Sequence, residues 1–439
     1  MSEIKRDKAT LVFTGDIGFD RYMDGKWDDE ELLSKEVLAF LHSGDHVIAN
    51  VEGPLVDQAT NTTTEGVQQL MHTMNPAAIK VLQKMKADIW NICNNHIMDA
   101  GEMGMKCTLE QAEKHGVKTI GAGMNLEEAK KPLILPDAGG IGMFGVGYQR
   151  GCKPAGEEKA GCLNWADMET IQNVIDEIKK TCRWCVIVSH GGEEFTSLPS
   201  PYTRDRYLKF LELGADVVVA HHPHVPENYE LFDNGKAIFY SLGNFVSTQE
   251  SFDALLEGMG CFTIQKTVQN GKTTVEILDP EVKPMVMHYN KDASVFSPYM
   301  LSDYTEELAS QHEVRTVLGD DSFTLANLQA RFKEIMSLSV KPSTNTDLLD
   351  VTFNSDGDMV NSNGEYVDDT WSVSAANAQD DTAADNSDSS DDSSDSSDDS
   401  SDSSDDYDYS DSSDNSDESD YSDESDYSDD SDYSDDSEY

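Results

Sequence analysis

Carboxylate, amide and imidazole side chains recur just after apolar runs through the first 245 residues. They sit in Gly15-Asp16, Asn50-Val51-Glu52-Gly53-Pro54, Asn94-Asn95-His96, Ser189-His190-Gly191 and His221-His222-Pro223-His224. A divalent metal needs several ligands converging within a few ångströms. Asp, Glu, Asn and His together suit a mixed oxygen–nitrogen site for Zn, Mn or Fe, not a thiolate site. Two such ions sharing a carboxylate form the usual clamp for hydrolysing phosphoesters. Taken singly, several of these residues mean little. An Asp after a strand usually caps a helix, an Asn pair usually makes a turn, and Glu52 could simply end a strand. Three histidines in four positions after a buried strand are different, because imidazoles are costly in a core without partners. His222 and His224 lie two apart, which in an extended segment puts them on one side. The set as a whole points to an enzyme more than to a binding module.

Such ligands must be carried to one place by the backbone, and the pattern around them alternates strand and helix. Apolar runs at Thr10–Phe13, His46–Ala49, Asp88–Ile92, Lys118–Ile120, Val186–His190, Asp216–Ala220 and Lys236–Tyr240 read as strands. Between them, helical spacing predicts helices over Asp28–His42, Ala77–Met85, Gly101–His115, Trp165–Lys180 and Thr203–Leu213. Asn75-Pro76 forms a start signal, and Gly116 and Gly214 form stops. Alternation of this kind implies crossover connections and a largely parallel, buried sheet. The C-terminal strand ends of such a sheet are where loops bring ligands together. After Phe262 the texture becomes an antiparallel hairpin about Asn270-Gly271. Helices over Ser302–Val317 and Phe323–Met336 complete the body.

Charge divides the chain. Of 84 acidic residues, 27 fall between Asp380 and Tyr439, where there is no Lys or Arg; 57 acidic and 32 basic residues remain, or −25 for the first 379 positions. This negative field excludes nucleic acid as a partner, since phosphate backbones need clustered Lys and Arg. From about residue 375 the chain is low-complexity Ser, Asp and Tyr, with Tyr421, Tyr427, Tyr433 and Tyr439 six apart. A segment of that charge cannot bury enough apolar surface to fold, so a disordered acidic tail is expected. Its foremost role is a solvated bristle, with diffuse Ca²⁺ binding as an alternative. Asn354–Asp358 loosely resembles a calcium loop but lacks the bidentate Glu, so a hairpin turn is expected there. Seven cysteines, an odd number, fit reduced thiols. Cys182 and Cys185 have redox-motif spacing, yet they precede a strand and read as a buried structural pair. No apolar run approaches the roughly 20 residues that span a bilayer. With no signal pattern at the N-terminus, the expected location is cytoplasmic.

Gly15-Asp16-Ile17, the segment Asn50–Pro54, Asn94-Asn95-His96 with Asp99-Ala100-Gly101, His190–Phe195, Ala215–Val225 and Tyr240–Phe245 occur in this order. Together they resemble the CapA family of poly-γ-glutamate capsule synthesis proteins (the PGA_cap domain) over about residues 9 to 250. That family is similar in turn to the calcineurin-like metallophosphoesterases. The resemblance implies an α/β, four-layer α-β-β-α sandwich with one or two divalent metals at the strand ends. It implies Asp16 on the first metal with His190 or His224, Glu52 as bridging carboxylate, and Asn95 on the second metal with His190 or His222. His96 would face the leaving group as general acid or electrostatic stabiliser. Glu194 and Asp99 would orient these groups from behind. Two departures stand out: Gly18 lies where metallophosphoesterases carry a His two residues after the first Asp, and Glu52 lies where they carry Asp. Family members are usually membrane-anchored or exported.

The sequence therefore predicts a metal-dependent hydrolase for a phosphoester or related acyl bond, acting on an anionic small molecule or polymer. The rival is a non-enzymatic scaffold or carrier in capsule-polymer assembly. The expected organisation is a domain over 9–250, completed by 251–342, then a polar Asp/Asn-rich segment over 343–374 and the tail over 375–439.

Overall fold

The computed structural model describes residues 4–19, 23, 26–56, 72–148, 151–247, 249, 251–291 and 294–339, with backbone alone at 352–353 and 359–360. The acidic tail lies outside the described residues. In chain order the strands are β1 (Lys5–Ile17), β2 (His46–Val51), β3 (Ala87–Asn91), β4 (Lys118–Ile120), β5 (Ala122–Gly123), β6 (Leu133–Leu135), β7 (Ile141–Gly147) and β8 (Gly161–Cys162). They continue with β9 (Trp184–His190), β10 (Val217–His221), β11 (Tyr229–Leu231), β12 (Ala237–Phe239), β13 (Leu256–Gln269), β14 (Lys272–Tyr289) and β15 (Phe296–Met300). The larger sheet runs β15-β14-β13-β1-β2-β3-β4 and the smaller β11-β12-β10-β9-β7-β6. Parallel pairing joins β1 through β4, and β7, β9, β10 and β12; β13, β6 and β11 add antiparallel.

Side-chain alternation assigns the layers. On β9, Val186 and Val188 enter the core shared with the larger sheet, while Cys185 and Ile187 face the opposite way. That second face is covered by α4 (Met168–Thr181) and α5 (Pro201–Leu213), through Ile171, Val174, Tyr207 and Phe210. Helices α1 (Lys35–Leu41), α2 (Ile79–Met85) and α3 (Gly101–Lys114) pack on the larger sheet, burying Val37, Val81 and Met105. The order helix, sheet, sheet, helix is the four-layer arrangement expected. Strands buried on both faces explain why β9 and β10 read as unbroken apolar runs.

Several boundaries differ from the sequence reading. The helix expected from Asp28 begins only at Lys35, capped by Ser34 Oγ, which accepts from Val37 N at 3.3 Å. Upstream, Asp29 Oδ1 accepts from Glu31 N at 2.8 Å, and this local bond holds the acidic run in turns. The helix expected over Ser302–Val317 breaks into Glu306–Gln311 and Glu313–Thr316. The cause is His312, whose buried ring is drawn between Tyr289 and Phe323 (centroids 4.6 and 4.4 Å) while its Nδ1 accepts from Val314 N. Strand β7 escaped the sequence pattern because glycines dilute it, yet those glycines are needed. A Cβ at Gly145 would lie 2.8 Å from Gly121 Cα, and one at Gly147 would lie 2.8 Å from Cys152 Sγ. The Asn270-Gly271 turn joins β13 to β14 with both residues at positive φ, as a two-residue hairpin requires. Thr352–Phe353 pairs antiparallel with Met359–Val360, although the turn between them lies outside the described residues. All seven cysteines are free, and Cys182 and Cys185 are buried. Among the described residues no helix is long and apolar enough to cross a membrane.

Candidate metal centre

Asp16 sits at the end of β1, held on both sides of its peptide. Its N–H donates to Gly243 O at 2.9 Å, and Phe245 N donates to Asp16 O at 2.8 Å. The approach of residues 243–245 leaves no space for a side chain at position 15, where a Cβ would lie 2.7 Å from Asn244 C. A chain of amides crosses the strands beneath it. Asn91 Nδ2 donates to Asn50 Oδ1 (2.7 Å), and Asn50 Nδ2 donates to Asp16 Oδ1 (2.6 Å) and lies 3.2 Å from His190 Nδ1. Asn50 and Asn91 are buried, and the sequence reading gave neither a role.

Glu52 follows β2 and is buried, yet its Oε1 has no hydrogen-bond donor. That oxygen lies 3.5 Å from His190 Nε2 and 3.9 Å from His224 Nε2. Two compact ligand groups share it: Glu52 with His190 and His222, and Glu52 with Asp16 and His224. Asn95 Oδ1 lies 2.8 Å from His190 Nε2, so it joins the first group. The structure thus brings together Asp16, Glu52, Asn95, His190, His222 and His224, and pairs the histidines with the carboxylates.

His222 and His224 are not on an extended segment. Their φ angles are +102° and +61°, and the two imidazoles meet Glu52 in different groups. His222 N donates to Asp16 Oδ2 at 3.1 Å. His224 Nδ1 lies 3.0 Å from Asn244 Oδ1, an acceptor whose amide is fixed because its Nδ2 donates to Gln249 Oε1 and Ala254 O. This network keeps a proton on His224 Nδ1 and turns Nε2 toward Glu52 as the atom that would meet a metal. Glu194 Oε1 is 3.6 Å from His222 Nε2, and it forms a third group with His222 and His224. Its side chain is half exposed at the mouth of the site, where it is placed to meet a metal directly as well as to orient a ring.

The electrostatics are those of a site short of positive charge. Burial and the charge of Glu52 push the Asp16 carboxyl up to about 6. Burial also opposes the charge on Glu52, but His224 and His190 overcome it and hold that carboxyl well below its usual range. Burial and neighbouring His190 push His222 well below the usual imidazole range, and burial takes His221 down to about 3. Burial opposes charge on His224 as well, but Glu52 and Asp16 raise its pKa above the ordinary imidazole value, so the site draws in protons where a divalent cation would supply the charge. The unpartnered Glu52 Oε1 and His222 Nδ1 show that protein donors alone leave the site unsatisfied. The residues present therefore fit a metal.

His96 stands apart from the ligand groups. Its Nδ1 is 2.8 Å from Asp99 Oδ2, and Asn94 Oδ1 accepts from the backbone N–H groups of both Gly53 and His96. Burial lowers its pKa, but the Asp99 hydrogen bond and the charges of Glu52 and Asp99 raise it above the ordinary imidazole value. A pocket of about 240 Å³ opens beside it, lined by Asp16, Glu52, Glu194 and His224 and, beyond any motif in the sequence, by His72, Phe195 and Gln249. Among the described residues no Lys or Arg lines it. A larger cleft of about 540 Å³ beside α3 and β4 gathers no ligand set among the described residues.

The fold is a four-layer α/β sandwich with carboxylate, amide and imidazole groups gathered on its strand ends. Residues 10–249 match the family described as bacterial capsule synthesis protein PGA_cap, and the chain belongs to that family. It is 32% identical over 247 residues to the PGA biosynthesis protein CapA of Bacillus subtilis, covering 55% of this chain and 64% of that one. It is 26% identical over 253 residues to the capsule biosynthesis protein CapA of Bacillus anthracis, covering 56% and 61%. The chain thus spans less than two thirds of the length of these curated relatives. Among solved structures, a putative 5'-nucleotidase from Staphylococcus aureus in complex with α-ketoglutarate matches at 13% identity and TM-score 0.40, over 65% of this chain and 57% of that one. A 5'-nucleotidase from Candida albicans matches at 13% identity and TM-score 0.37, over 57% and 46%.

Proposed function

We propose that this chain is a metal-dependent hydrolase that cleaves a phosphoester or related acyl bond during synthesis or handling of an anionic capsule polymer. The observation that carries the reading is Glu52 shared by two ligand groups, with an open pocket beside His96. One group would be Asp16, Glu52 and His224; the other would be Glu52, Asn95, His190 and His222. Divalent ions held there supply positive charge to polarise the scissile group and stabilise charge developing on its oxygens. That charge is needed, because the three carboxylates that line the pocket repel an anion.

The protein's own groups complete the chemistry. Asn50 and Asn244 hold Asp16 and His224 in ligand orientation. Asp99 accepts from His96 Nδ1, fixes the ring and favours its protonated form. His96 Nε2 is then the atom placed to give a proton to the leaving oxygen, as a general acid does. The pocket, open beside His96, supports catalysis over a purely structural metal site, which would be closed and fully coordinated. About 240 Å³ admits a phosphoryl-sized group with its immediate substituents, leaving the bulk of a polymer outside.

The test is metal content of the purified protein, followed by aryl phosphate hydrolysis with added Mn²⁺. Bound metal, activity, and loss of both in His222→Ala are expected. An absence of metal, with no effect of His222→Ala, refutes the reading.

A further inference from the structure

Position 18 is where the chain departs from a metallophosphoesterase pattern, and the space there is filled by another histidine. A Cβ on Gly18 would lie 2.7 Å from His72 Nε2 and closer still to Cε1. The ring of His72 therefore occupies the volume of a side chain at 18. Gly53, one residue beyond Glu52, makes room for the same residue, since a Cβ there would run into the His72 carbonyl. Its φ of +113° is also one that few side chains tolerate. Three anchors fix His72: its backbone N–H donates to Asp99 Oδ2 at 2.7 Å, its Nε2 hydrogen-bonds Gly18 O, and its ring lies 5.2 Å from that of His96. Asp99 Oδ2 thus holds both residues, and both line the pocket with Asp16, Glu52 and His224.

We propose that His72 is a second substrate-side imidazole, delivered across the fold to the place a residue at 18 would take, where it contacts the anionic group of the substrate beside His96. The carbonyl of Gly18 can only accept, so His72 Nε2 carries a proton and Nδ1 is the ring atom left for a phosphoryl or carboxylate oxygen. Nδ1 meets such an oxygen as a donor when it carries the second proton. His72 belongs to none of the ligand groups, which separates this role from metal binding. The inference rests on the hydrolase reading above, because it takes the neighbouring centre to be loaded with metal.

The experiment is calorimetric titration of the full-length Mn²⁺-loaded protein with inorganic phosphate, with metal content measured on every variant. The wild type is expected to hold metal and bind phosphate; failure to hold metal refutes the hydrolase reading itself. His72→Ala is expected to keep its metal and to bind phosphate about tenfold more weakly or worse, the loss for one hydrogen bond to a charged group. Gly18→Ala, whose methyl displaces the ring, is expected to show the same loss. The two changes together should be no worse than either alone, because the methyl then enters vacated space. His72→Gln keeps the backbone bond to Asp99 and carries the test should His72→Ala not fold. Metal lost with His72, phosphate affinity unchanged in both single variants, or a metal-loaded wild type that ignores phosphate overturns the proposal.

Discussion

Replacing Glu52 by Gln removes one charge and almost no volume from the point where both ligand groups meet. A unit charge acting across about 4 Å at an effective dielectric near 20 is worth about 4 kcal/mol. The desolvation of a buried carboxylate offsets part of this. A net loss of about 3 kcal/mol, or roughly a hundredfold in Mn²⁺ affinity, is expected at each group. Thermal melting with Mn²⁺ reads it directly. A ligand at a thousand times its Kd stabilises by about 4.1 kcal/mol, and at ten times by about 1.4 kcal/mol, so the metal-induced rise in Tm should shrink to about a third. The metal-free protein should be weakened much less, because the lost attraction of Glu52 to His224 and His190 is offset by relief of its buried charge and of its repulsion of Asp16. A metal-induced rise equal to that of the wild type refutes the shared-carboxylate argument. So does a metal-free Tm that falls as much as the metal-bound one, since Glu52 would then be a packing residue.

Other expectations follow from the same geometry. His96→Asn should keep full metal content and lower kcat by about 10² to 10⁴, the range for loss of a general acid, while Asp99→Asn should fall between it and the wild type. Stability should decline with pH through His46. The Asp88 hydrogen bond raises its pKa above 6.5, so its contribution is complete below 6.5 and disappears as the pH passes the raised value; in urea titrations His46→Gln should flatten the slope as the pH rises above 6.5. Gly145→Ala should cost about 1–3 kcal/mol in a denaturant melt, since its Cβ meets Gly121 Cα and the Asn91 amide under the metal centre.

How far the sequence could be read depended on periodicity. Parallel strands announce themselves as apolar runs, and their ends point one way, so Asp16, Glu52, Asn95, His190, His222 and His224 could be gathered before any coordinates. Their partition came only from the family resemblance, which left His190 open between the two groups. Nothing in the apolar pattern gives the positive φ at His222 and His224, or the 2.8 Å that sets His190 beside Asn95. His72 was invisible because it belongs to no apolar run. Only the glycines at 18 and 53 marked its place, and a glycine does not say what it makes room for. Asn50 and Asn91 are buried amides inside strands, where side-chain chemistry alone does not distinguish a support from a misfit. The break at His312 came from a tertiary demand, since the ring is worth more in the core than as one residue of a longer helix.

The pairing of β1 with β13 sets an order of assembly. Lys5 lies opposite Val268 and Phe13 opposite Gly260, so one flank of the strand that carries Asp16 stays bare until the chain has grown past residue 260. Every proposed metal ligand has been synthesised by His224, yet the strand beneath the first of them has no second neighbour until the C-terminal hairpin returns. Contacts so distant in sequence close slowly and late. The family span of residues 10–249 holds every proposed ligand but ends before the strand that pairs with β1. A chain cut near residue 250 should possess every ligand and expose the β1 edge, the state in which unpaired strands seek other chains.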